Sequence, residues 1–277
     1  MKHFSIFLER KLAAMAAFLA TILRISGPDN DIFFCPIFSD DDEEDVFGLS
    51  KRLKSLDGVF ALLGGLVVDF GASAELFIAL AKYSVTVVVG LLLMILVVYP
   101  LIFRIFTKMK YKNFFKGIMP AQMLAFSTSS SAATLPVTME RCEDHLGVSE
   151  EVSSFVLPLG ATINMDGTSL YQAVAAVFIA QAYGMDLDMG QQLTIVLTAT
   201  LASIGAAAVP GAGMVMLVIV LGSIGVPTEG LALIFGVDRL LDMMRTVVNV
   251  TGDATVATVV ASTEGQLREV TEEELLS

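Results

Sequence analysis

An ionic row crosses the apolar segment at residues 238–253, which reads D-R-L-L-D-M-M-R-T-V-V-N-V-T-G-D. At about 100° per residue, Asp238, Asp242, Arg245, Asn249 and Asp253 fall within about 80° of one another on a helix, and the other faces are apolar. An ionisable side chain at mid-bilayer costs roughly 2.5–3.5 kcal/mol on insertion scales, so four of them facing lipid would cost on the order of 10 kcal/mol. The row must therefore face protein or water. Arg245 presents a rigid fork suited to a carboxylate, while Asp242, about one turn away, can accept the hydrogens of an ammonium group. The pair describes a site for a zwitterion with an additional carboxylate.

The elements that position this row belong to a membrane protein. Hydrophobic residues make up 55% of the 277 positions and the mean hydropathy is +0.74, above the usual soluble range. Between residues 76 and 103 Lys82 is the sole charged side chain, and this stretch is long enough to cross about 30 Å of hydrocarbon. Three more apolar stretches, at 155–183, 193–222 and 231–261, are each interrupted by Gly, Pro, Asp or hydroxyl residues. Arg104, Lys108, Lys110, Lys112 and Lys116 crowd one loop, whereas no Lys or Arg lies between Arg141 and Arg239, so the 104–116 loop is cytoplasmic by the positive-inside rule. The net charge of −12 comes largely from the acids at 40–45 and from a tail carrying Glu264, Glu269, Glu272, Glu273 and Glu274, runs that read as solvated. No broad basic surface suggests nucleic acid. Cys35 and Cys142 support neither a disulfide framework nor a zinc site.

The interruptions carry the remaining chemistry. Five consecutive hydroxyl residues at 127–131, followed by Pro136, compete with the helical ladder and remove a donor. The segment reads as a helical hairpin that enters the membrane and turns back at a polar tip, a backbone tolerated at that depth only where protein or water covers it. Gly205, Pro210, Gly211 and Gly213 break a second apolar stretch in the same manner, and the two hairpins, each followed by a polar-centred span, suggest an internal repeat. In G-A-T-I-N-M-D-G-T at 160–168, Asn164, Asp166 and Gly167 are poor helix formers, and unwinding there would aim carbonyls and the Asp166 carboxylate at one point, a set of oxygens suited to a hard cation. Carboxylates at 166, 238, 242 and 253 outnumber the arginines at 239 and 245, an excess that requires bound cations or protons.

The GATINMDGTS segment, the serine-rich tip, the A-A-A-V-P-G-A-G tip and D-M-M-R-T-V-V-N-V-T-G-D together resemble the dicarboxylate/amino acid:cation symporters, which include the glutamate/aspartate transporters and their prokaryotic homologues, from about residue 59 to 267. The resemblance implies an all-α membrane fold with two re-entrant helical hairpins in an inverted repeat, forming an elevator-type transport domain. Its parts would be a remnant of a scaffold helix at 58–72 and a transport domain at 73–262, built from a helix at 76–103, a hairpin at 113–145, a helix at 150–184, a hairpin at 190–225 and a helix at 228–262. An atypical segment at 1–57 and an acidic cytoplasmic tail at 263–277 would flank them. The second hairpin would be the outer gate. Carried over to matching positions, Ser131, Thr168, Val209, Asp242, Arg245, Thr246 and Asn249 would contact substrate. Gly160, Asn164, Asn249 and Asp253 would form one sodium site; Thr162, Ser203, Ile204 and Ala206 a second; Asn164 and Asp166 part of a third.

The implied activity is symport, not enzymatic catalysis: aspartate or glutamate would move with sodium ions across the cell membrane, expected as a multi-pass bacterial inner-membrane protein. A proton-coupled dicarboxylate symporter and a non-transporting partner of a full-length homologue are the alternatives. An intramembrane aspartyl protease lacks its Gly-x-Gly-Asp signature here. The sequence departs from the family where archaeal members carry an arginine (here Ser129), where animal members carry another (here Met243), and where Ala206 replaces a threonine. The first four helices of the family, with its homotrimer scaffold, are not matched. Leu12 to Leu23 is an apolar stretch too short to span the bilayer, reading as a signal core, an interfacial helix or the stub of a span.

Overall fold

The structure, a computed structural model, describes residues 74–270. The expectations for 1–57 and 58–72, and for the acidic end of the tail, lie outside those residues.

The described chain is helical throughout. Helix α1 (Ala74–Leu93) runs through a π turn (Met94–Val98) into α2 (Tyr99–Phe106). The π turn precedes Pro100, whose missing N–H and bulky ring disturb the preceding turn, so the helix absorbs the defect by widening. Ala79, Tyr83, Val87 and Leu91 recur every fourth residue, with Met94 after them, as the buried stripe. Val85, Val89, Leu92 and Leu96 are apolar yet exposed on the other side. A helix apolar on every face is one whose outer face meets lipid or another apolar body. Residues Phe77–Phe106 form one helix long and apolar enough to cross a membrane, the only such helix among the described residues.

Two broken helix pairs follow. Helix α3 (Tyr111–Thr128) ends where Ser129 adopts φ 52°, and α4 (Ser131–Glu140) starts two residues later, its N-terminus capped by the Ser130 hydroxyl accepting from Ala133 N–H at 3.1 Å. Helices α7 (Met189–Ile204) and α8 (Ala212–Ser223) form the second pair, joined by 205–211 with Gly211 at φ 78°. Between them α5 (Glu150–Ile163) and α6 (Asp166–Ala182) are separated by Asn164 and Met165. The break falls slightly earlier than the composition suggests. Asp166 opens α6, where a carboxylate meets the positive end of the helix dipole.

Helix α9 (Leu231–Thr263) is the axis. Its 33 residues extend about 50 Å, and α1, α3, α5 and α6 all pack on it. One apolar cluster joins α1, α6, α7 and α8 to Leu233, Ile234, Leu241 and Val248 of α9; a second joins α2, α3 and α5 to Val250, Ala254, Ala257 and Val259. The clusters part at Asn249. The polar site lies at that seam.

The start of the tail is not loose. Val148 and Leu267 form an antiparallel bridge, and Arg268 N–H donates to Gly147 O at 2.7 Å, with Gly147 at φ 73° and too close to the strand for any side chain.

Candidate functional site

The ionic row of α9 points inward along its whole length. Asp238, Asp242, Arg245, Asn249 and Asp253 are all buried, whereas Arg239, displaced by about 100° from Asp238, is 60% exposed.

Arg245 is the centre of the upper half. It is 2% exposed, and its Nη2 donates to Asp242 Oδ1 at 2.5 Å while Nη1 stands 3.8 Å from Asp238 Oδ1. Its guanidinium carbon lies 4.1 Å from the centre of the Tyr171 ring, a cation–π contact that fixes the plane of the fork. Nη1 has no hydrogen-bond partner although it is buried. An unsatisfied, charged donor of this kind is expensive in a dry interior. The second pair of broken helices reaches the same point: Gly211 N–H donates to Asp242 Oδ2 at 2.9 Å, and a Cβ on Gly213 would stand 2.8 Å from Arg245 Nη1. Gln172 Nε2 donates to Gly213 O at 3.0 Å and so ties α8 to α6.

The two breaks touch. Ser130 Oγ donates to Ala208 O at 2.7 Å, and Ala132 N–H to the same carbonyl at 3.3 Å. Ser131 is buried beside this junction, Ser129 Oγ is buried without a hydrogen-bond partner, and Val209 is 53% exposed. Thr246 Oγ1 turns back to Asp242 O at 2.9 Å.

Below Arg245 the amides and carboxylates interlock. Asn249 accepts from Gly167 N–H at 2.8 Å and donates to Thr168 Oγ1 at 3.0 Å. Asn164 Nδ2 donates to Asp253 Oδ1 at 2.6 Å, and a Cβ on Gly160 would lie 2.8 Å from the same oxygen. Tyr99 OH shares its single hydrogen between Asp166 Oδ2 at 3.0 Å and Val248 O at 3.1 Å. Gly252 leaves room for this cluster, since a Cβ there would lie 2.7 Å from Tyr99 OH. Oxygen atoms of Asp166, Asn249 and Asp253 thus gather where α5 breaks into α6.

The set expected at 162 and 203–206 is less convergent. Thr162 is exposed and donates to Leu159 O at 3.0 Å, Ser203 donates to Thr200 O at 2.9 Å, and no hydrogen bond among the described residues joins Thr162 to Ser203, Ile204 or Ala206. Hydroxyls of helical Ser and Thr satisfy themselves on the preceding turn unless a ligand draws them away.

Tyr99, Tyr171 and Gln172 escape the reading of the sequence, and Gly213, which reads there as a helix breaker, lies inside α8 against Arg245. The tyrosines look like apolar helix residues, and Gln172 lies inside a helix buried at every position except Gln181. The one signal is a polar atom in an otherwise apolar stretch, which a buried helix must satisfy.

The long helix α9 thus packs on α1, α3, α5 and α6, with its buried acid-rich row at the seam of the two apolar clusters. Residues 58–263 match the Sodium:dicarboxylate symporter family, and the chain belongs to that family. It is 50% identical over 197 residues to "Excitatory amino acid transporter" of Caenorhabditis elegans, a match covering 71% of this chain and 39% of that protein. It is 49% identical over 197 residues to "Excitatory amino acid transporter 2" of Mus musculus, covering 71% and 34%, and 48% identical over the same length to "Excitatory amino acid transporter 1" of Homo sapiens, covering 71% and 36%. The match therefore spans little more than a third of the length of these relatives. Membership makes this a membrane transporter-family protein and not an enzyme.

Proposed function

We propose that this chain carries the substrate- and cation-binding machinery of a sodium-coupled symporter for an acidic amino acid, aspartate or glutamate. The observation that supports it is the buried Arg245, whose Nη1 lacks a hydrogen-bond partner where the second broken pair abuts Asp242. A substrate side-chain carboxylate supplies the missing acceptor, and Asp242 takes the substrate ammonium.

On this reading Ser131, Thr168, Val209, Thr246 and Asn249 line the rest of the substrate pocket. The oxygens of Gly160, Asn164, Asn249, Asp253 and Asp166 hold sodium ions, with Thr162, Ser203, Ile204 and Ala206 assembling a further site once substrate draws the 205–211 tip inward. Helices α7 and α8 have 16 and 12 residues, too short to span alone, which suits a re-entrant hairpin. The α3–α4 pair, earlier in the chain, is the first hairpin. Residues 73–262 then form a transport domain that moves as an elevator with its cargo, the 205–211 tip acting as the gate, and 263–277 is cytoplasmic. The location is a multi-pass placement in a cell membrane, of which the bacterial inner membrane is one; the relatives named above are animal proteins. Trimeric assembly is assigned to none of the described helices.

Sodium-dependent binding of aspartate to the detergent-solubilised chain, read by titration calorimetry, tests the proposal. The expectation is that affinity rises at least tenfold between sodium-free and sodium-containing buffer. Heat of binding that is absent in both buffers, or equal in both, contradicts it. Coupling to protons instead would appear as affinity that follows pH at constant sodium.

A further inference from the structure

A cavity of about 860 Å3 lies away from the site just described, between the 104–113 connection and the segment that follows α9. Four cations line it, Arg104, Lys108, Lys110 and Arg268, against the single carboxylate of Glu269. Arg104, Lys108 and Lys110 are exposed, and none forms an ion pair among the described residues. Like charges gathered around a concave space repel one another, and burying an anion among them relieves that repulsion. Ile105 and Leu267 are among the residues that line it. From Ile105 the apolar surface continues without a charge along Leu101, Val97 and Leu96 of the membrane-crossing helix, all exposed.

This combination has a definite chemical match. A soluble polyphosphate would use the cations and leave the exposed apolar track unmatched. A lipid uses both. We propose that the cavity binds the multiply charged phosphate headgroup of an anionic phospholipid of the cytoplasmic leaflet, with its acyl chains lying along the exposed face of α1 and α2. Its volume is within the range of small-ligand sites. Arg104 suits a bidentate phosphate contact, Arg268, whose Nη2 donates to Asp144 O at 3.2 Å, adds charge to the wall, and the two lysines supply mobile charge from the linker. The inference rests on the cytoplasmic placement of the 104–116 loop but not on the identity of the transported substrate.

The test uses the full chain in neutral detergent and native mass spectrometry with three probes: dioctanoyl phosphatidylinositol bisphosphate, dioctanoyl phosphatidylcholine and inositol trisphosphate. The expected result is that the anionic lipid binds at least tenfold more tightly than either of the others. Lys108→Gln combined with Lys110→Gln should weaken it tenfold or more, while Lys112→Gln with Lys116→Gln, which removes equal charge outside the cavity, should change it less than twofold. Equal weakening by both pairs would mean nonspecific charge attraction and overturn the proposal. Inositol trisphosphate binding as tightly as the lipid would make the cavity a soluble-phosphate site, also overturning it. A tenfold gain on changing Glu272, Glu273 and Glu274 to Gln would show that the acidic end of this chain is the occupant, with the same consequence. Aspartate binding, measured on the same samples, reports separately on the transport reading.

Discussion

Replacing Gly213 with alanine probes the Arg245 fork without touching its charge. A Cβ at 213 would stand 2.8 Å from Nη1 and 2.9 Å from the guanidinium carbon. Ordinary contact needs about 3.5–4.0 Å, so the guanidinium must retreat by roughly 1 Å. It has little room, since Tyr171 stacks on its face and Asp242 holds Nη2. A displaced fork loses about one charge-assisted hydrogen bond to a bound carboxylate, about 1.5–3 kcal/mol, which is roughly 10- to 150-fold in affinity. Alanine's better helix propensity, about 1 kcal/mol, offsets part of the cost of displacing a buried, held guanidinium, so any fall in melting temperature should be small. The assay is aspartate calorimetry in saturating sodium, with a thermal melt of the same sample. Aspartate affinity within twofold of the unmodified chain, at an unchanged melting temperature, would refute the reasoning, because Nη1 would then not be a substrate ligand.

Other expectations follow from the same geometry. Tyr99→Phe removes a hydroxyl that bridges Asp166 and Val248 O and should lower stability by about 1–2 kcal/mol, visible in thermal melts; no change would mean that water replaces it. Ser130→Ala deletes both the α4 cap and the bond to Ala208 O, costing about 1 kcal/mol, and hydrogen exchange at 205–211 should quicken several-fold; unaltered exchange would detach the two tips. Asp253→Asn loses the charge behind the 2.6 Å bond from Asn164 and should weaken sodium affinity by about tenfold or more, measured by titrating sodium at fixed aspartate. Gly160→Ala, which crowds Asp253 Oδ1, should have the same sign and a smaller effect on aspartate affinity in saturating sodium.

The ionic row was legible because helical periodicity alone puts 238, 242, 245, 249 and 253 on one face, and a charge that cannot face lipid must face inward. Both tips and the break near Asn164 were legible from residue types that weaken helices. The break itself falls at Asn164 and Met165, not at Gly167. Gly167 stays helical because its missing side chain admits the Arg245 carbonyl, which a Cβ would meet at 2.7 Å. Spacing in sequence carries no record of which turn meets which, so the Ser130–Ala208 junction and the Tyr171 platform emerge only in three dimensions. Thr162 is exposed, its hydroxyl satisfied by its own helix, so the site proposed for it with Ser203 is not preformed by hydrogen bonds.

On the proposed function, Arg245 reads the extra carboxylate of the substrate. The most direct test of this role is sodium-dependent binding of aspartate and serine to the unmodified chain and to Arg245→Ala. The substitution should weaken aspartate by at least about 100-fold, the loss of a buried charge-assisted pair, while serine, which lacks that carboxylate, should not be weakened. Equal losses for both amino acids, or aspartate binding that survives intact, would contradict it.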